Sequence, residues 1–68
     1  MCEFKVYVAG STPEEKELVA KEIIIARIRD RRVVLLTMMG ESVFVDSVTI
    51  REVNTMKQEL ILQKVCFS

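Results

Sequence analysis

The chain has 68 residues, room for one domain spanning 1–68, and a domain this small buries only about 60% of the surface its unfolded form exposes. Ten Lys and Arg offset ten Asp and Glu, so the zero net charge carries no chain-wide attraction to nucleic acid or anionic membrane. Half of the residues are apolar, which excludes disorder, and no apolar run approaches the ~20 residues that cross a bilayer as a helix.

Residues 2–8 alternate strictly, with Cys2, Phe4, Val6 and Val8 on one face and Glu3, Lys5 and Tyr7 on the other. This is the period of a half-buried strand. Thr12-Pro13-Glu14-Glu15 has the form of a helix start, with a capping threonine, proline at the first helical position and a glutamate that completes a capping box. Only Leu18, Val19 and Ala20 follow as apolar residues, so the sequence predicts a short helical turn that decays into a strand. Ile23 to Arg29 is β-branched and reads as the second strand, Asp30-Arg31 as a tight turn, and Arg32 to Met39 as the third strand. Gly40-Glu41 turns the chain again. Ser42 to Val45 and Val48 to Val53 are predicted as one fourth strand bent near Asp46-Ser47, and Glu59 to Phe67 as the last.

Five short strands at this spacing predict a mainly β domain, a compact and mostly antiparallel five-stranded barrel whose closure removes open edges. Ile23-Ile24-Ile25 and Val33-Val34-Leu35-Leu36 are apolar on both faces. Either the short helical turn or a second copy of the chain must cover them. The turn supplies few apolar residues, which favours a homodimer.

Histidine is absent, so Ser-His and Cys-His catalytic pairs and histidine metal sites are excluded, and two glycines build no phosphate-cradling loop. No paired carboxylates suit acid–base work, and the chain is expected not to be an enzyme. Two cysteines, and an amino terminus without the basic-then-apolar order of a secretion signal, predict a cytoplasmic protein with free thiols. Cys2 is the residue with chemistry in it. If Met1 is retained, the terminal amine, the Cys2 amide nitrogen and the Cys2 sulfur can close two fused chelate rings. If Met1 is removed, the Cys2 amine and sulfur close one. Either set favours square-planar Ni(II) or Cu(II). The simpler alternative is a small apolar residue at the start of an inward-facing strand. Cys66 is a core or strand-end residue; antiparallel pairing of the first and last strands would bring it near Cys2 as a second thiolate or a disulfide partner.

Met1-Cys2-Glu3-Phe4-Lys5-Val6-Tyr7, Ala26-Arg27-Ile28, Val33-Val34-Leu35-Leu36, the Gly40 turn, Glu52-Val53-Asn54 and Glu59-Leu60-Ile61-Leu62 together resemble the small CooT-type proteins. The resemblance implies an SH3-like or Sm-like barrel that dimerises and holds one nickel between two chains. It places the metal-binding cysteine at Cys2, and carbon monoxide dehydrogenase as the kind of nickel enzyme served. Relatives of this type also carry the label of predicted RNA-binding proteins. Arg27, Arg29, Arg31 and Arg32 cluster around one hairpin turn, and Arg27 and Arg29 share a strand face from which they could reach phosphates. RNA binding through residues 27–32 is therefore the alternative, beside a solvated hairpin tip. Tyr7 is the single aromatic expected on an outer face, with Phe4 and Phe44 in the core. A third possibility is an interaction module whose two-sided apolar strands dock a larger protein.

Overall fold

The alternation that begins the chain survives as strand β1 (Phe4–Ala9), with Val6 and Val8 buried and Lys5 in solvent. The computed structural model describes residues 3–10 and 14–65. Five more strands follow: β2 (Lys16–Arg29), β3 (Arg32–Thr37), β4 (Ser42–Asp46), β5 (Val48–Asn54) and β6 (Glu59–Lys64). They form a single mixed sheet in the order β4-β3-β2-β1-β6-β5, antiparallel throughout except for the parallel pair β1–β6.

The expected helical turn is replaced by the first half of β2, and the described residues contain no helix. Leu18 pairs with Tyr7 and Glu17 with Val8, while Gly10 N–H donates to Glu15 O at 2.7 Å and closes the hairpin. The physical reason lies in β1. Its backbone needs a ladder partner on this side, and Val19 and Ala20 gain burial against the core as strand residues. A one-turn helix would bury almost nothing. The capping residues Thr12 and Pro13 lie outside the described residues.

β2 is long because it bends. Between Phe4↔Ile23 and Val6↔Ala20 it spends one residue more than β1, between Val6↔Ala20 and Tyr7↔Leu18 another, and between Ile23↔Thr37 and Ile25↔Leu36 one more than β3. Glu22, at φ 59°, sits among these bulges. Bulges bend a strand and raise its twist, so the two halves of β2 serve opposite parts of a strongly curled sheet. A similar extra residue falls on β5 at Arg51, between Ile50↔Leu62 and Glu52↔Ile61.

The predicted fourth strand is two strands. Ser47 adopts φ 57° and turns the chain after Asp46, so β4 pairs with β3 at one end of the sheet and β5 pairs with β6 at the other. The two outermost strands are therefore consecutive in sequence. Among the described residues no ladder joins them, so the molecule is an open, curled six-stranded sheet rather than the expected closed five-stranded barrel. The last strand ends at Lys64, short of the predicted Phe67, and Phe67 lies outside the described residues. Met38 and Met39 are not strand residues either. They form a turn in which Thr37 Oγ1 accepts the Met39 and Glu41 amides at 3.2 and 3.1 Å.

The core occupies the concave side. Leu35, Leu62, Val6 and Val33 are fully buried, joined by Val8, Ile23, Val48 and Leu60. Burial of each such side chain stabilises the fold by roughly 1.5–3 kcal/mol. Phe4, Val43, Val45 and Ile50 close the margins as half-buried residues. No buried polar side chain interrupts this cluster among the described residues.

Candidate functional site

Met1 and Cys2, the expected nickel ligands, lie outside the described residues, as does Cys66. Glu3 and Phe4 are the first described residues of the chain. Glu3 is half-buried, and Phe4, two residues beyond Cys2 in sequence, lines an apolar cleft of about 270 Å³. Ile23, Ile24, Ile25 and Ala26 of β2 line it from one side, and Ile50, Val53 and Leu60 from the other. The extra residue at Ile24 turns that side chain outward. Ile24 and Val53 are 51% and 54% exposed, which leaves large aliphatic surface in water beside the start of β1.

The predicted proximity of Cys66 to Cys2 rested on antiparallel first and last strands. β1 and β6 are instead parallel, with Lys5 opposite Glu59 and Ala9 opposite Gln63. Glu3 and Val65, the described residues beside the two cysteines, consequently flank opposite ends of this strand pair. Val65 N–H donates to Ser47 O at 2.9 Å, at the far end from the apolar cleft. Among the described residues no group of three or more Cys, Asp or Glu side chains could hold a metal ion.

The arginine hairpin forms as predicted, with Asp30 at φ 56° in a tight turn between β2 and β3. Arg27, Arg29, Arg31 and Arg32 are all exposed. Cross-strand partners share a face of the sheet, so the ladder sets out two rows on its convex side. One row is Arg29, Arg32 and Asp46, and the next is Arg27, Val34 and Phe44. Arg32 Nε donates to Asp46 Oδ1 at 2.6 Å, and its guanidinium carbon lies 5.5 Å from the centre of the Phe44 ring. Both partners of this ion pair are largely in solvent, so it adds little stability.

Phe44 is 58% exposed, contrary to its expected place in the core. The signal was present in the sequence: Ser42, Phe44 and Asp46 alternate with Val43 and Val45, which puts Phe44 on the polar face of its strand. Tyr7, expected outside, is half-buried, and the Lys16 ammonium lies 4.5 Å from its ring centre. Lys16 also pairs with Glu59 at 3.3 Å, so this aromatic face is occupied.

Comparison with known proteins adds the family. The model of the CO dehydrogenase accessory protein CooT matches residues 1–63, a span that includes Met1 and Cys2. No curated protein sequence matches significantly. A crystal structure assigned to CooT from Carboxydothermus hydrogenoformans superposes with a TM-score of 0.80 at 12% identity, covering 96% of this chain and 100% of that one, which establishes the shared fold. No helix among the described residues is long and apolar enough to cross a membrane. The chain belongs to the CooT family of CO dehydrogenase accessory proteins.

Proposed function

We propose that the protein is a non-catalytic, cytoplasmic nickel-handling accessory that holds Ni(II) as cargo through Cys2 thiolates from two chains. Terminal or backbone nitrogens of Met1 and Cys2 complete a square plane, and a nickel enzyme such as carbon monoxide dehydrogenase receives the metal. The observation that carries this reading is the apolar cleft at Phe4, with Ile24 and Val53 exposed at its rim, two residues in sequence from Cys2. Aliphatic surface of this kind favours a covering partner. A second copy docked here brings two chain starts together and so supplies two sulfur donors without any histidine. Family membership supports the accessory role, and the donor chemistry supports nickel over zinc, which would need a fuller tetrahedral set.

The test compares nickel binding by the reduced protein and its Cys2→Ser variant. Loss of tight binding in the variant, with an unchanged circular dichroism spectrum, supports the site. Tight binding that survives the substitution overturns it.

A further inference from the structure

We propose that the second copy seated at the apolar cleft also covers the outer half of β2, along a stripe formed by Ile24, Ala26 and Ile28. The inference rests on the dimer proposed above and adds the surface that holds it together without metal.

The backbone leaves this part of β2 open. The β1–β2 ladder ends at Phe4↔Ile23, and from Ile25 to Arg29 the strand is paired only with β3 among the described residues. Thr37 N–H donates to Glu41 O at 2.9 Å, and bonded pairs alternate along an antiparallel ladder. Val33 and Leu35 therefore face β4 with their backbone groups, and Val34 and Leu36 face β2. Their partners Arg27 and Ile25 are satisfied within the sheet, whereas Ala26 and Ile28 direct their backbone groups to the open edge. Ala26 stands opposite Leu35 and Ile28 opposite Val33, both fully buried, so the two side chains lie on the core face of the sheet. Ala26 is nevertheless exposed, and Ile28 is 55% exposed. Ile24 and Ala26 also line the cleft, so the stripe continues it along the strand.

Size and charge identify the occupant. A stable interface takes about 800 Å² from each partner, an area that reaches roughly 16 Å from its centre. A metal site shared by two Cys2 residues puts that centre beside the start of β1. Ile28 lies roughly 16 Å along β2 from Ile23, at the border of such a contact. Other directions from the cleft meet charge: Lys57 is exposed in the turn before β6, and Lys5, Lys16 and Glu59 surround Tyr7 on the convex face. The stripe carries none, because Arg27 and Arg29 alternate to the other face, opposite Val34 and Arg32. Around a two-fold axis each surface meets its own copy, where like charges oppose and a neutral aliphatic stripe does not.

The experiment uses metal-free, reduced, full-length protein, so its result does not depend on nickel binding. Sedimentation at rising concentration is expected to show a dimer that Ile28→Lys weakens tenfold or more, the effect of losing one interface anchor. Leu18→Lys is the control, at a residue 49% exposed in the first half of β2, and is expected to leave the dimer unchanged. Circular dichroism checks that both variants fold. In the unmodified protein, amide hydrogen exchange at Ala26 and Ile28 is expected to slow as concentration rises, a reading that needs no variant. A metal-free monomer at every concentration overturns the proposal. So does an Ile28→Lys dimer as tight as the parent, with exchange at Ala26 and Ile28 independent of concentration. A dimer sensitive to Ile28→Lys that takes up no nickel supports the interface and overturns the nickel reading. Nickel shared by a dimer indifferent to Ile28→Lys does the reverse.

Discussion

Phe4 stands directly opposite Ile23 in the β1–β2 ladder, and both side chains line an apolar cleft at the start of β1. This pairing links the metal-binding proposal to the fold. The bulged part of β2 that follows Ile23 turns Ile24 into solvent beside the exposed Val53, and this apolar rim is the proposed seat of the second copy.

Charge placed on that rim should therefore separate the protomers. Ile24→Lys with Val53→Lys is expected to give a folded monomer by sedimentation and to weaken nickel binding, although neither residue has a metal donor. Both positions are half in solvent, so the monomer's fold should persist. A dimer that survives both charges would place the interface elsewhere.

The concave core should dominate stability. Leu35→Ala, at a fully buried position, is expected to cost about 2–5 kcal/mol in urea unfolding. Met56→Ala, at a side chain 95% exposed in the β5–β6 turn, should stay within about 0.5 kcal/mol. Similar costs at the two positions would contradict the placement of the core.

Gly40 offers a test of backbone conformation without packing. It has φ +86°, and a Cβ added there would meet nothing within 4 Å. Gly40→Ala should therefore destabilise by about 1 kcal/mol through the backbone alone. An alanine variant as stable as the parent would mean that the turn relaxes to another conformation.

Much of the strand order was legible because it is local. The alternation from Phe4 to Val8 and the Asp30-Arg31 turn lie where periodicity and turn chemistry put them, whereas the irregularity read at Asp46-Ser47 as a bend in one strand divides β4 from β5. The first half of β2 was not legible, because Thr12-Pro13-Glu14-Glu15 carries helix-start chemistry while the gain that makes Lys16 to Ala20 a strand comes from pairing with β1. Parallel pairing of β1 and β6 was hidden for the same reason, since alternation assigns faces but not strand direction. Cys2 could be singled out as a candidate donor from its type and position. The cleft beside its neighbour Phe4 could not, because it depends on bulges that bring Ile24, Ile50 and Val53 around one opening.

Nickel binding should weaken as pH falls, because ligation takes a deprotonated thiol and nitrogen. A titration of the wild-type protein between neutral and mildly acidic pH checks this by the loss of thiolate-to-nickel absorption. An affinity independent of pH would argue against a thiolate ligand.

The most direct measurement is the stoichiometry of nickel on the reduced wild-type protein, read by native mass spectrometry alongside thiolate-to-nickel absorption. The shared Cys2 site predicts one nickel per two chains, with the metal-bearing dimer absent from Cys2→Ser. One nickel on each monomer would contradict the sharing between chains, and no nickel at neutral pH under reducing conditions would contradict the site itself and leave Cys2 a packing residue.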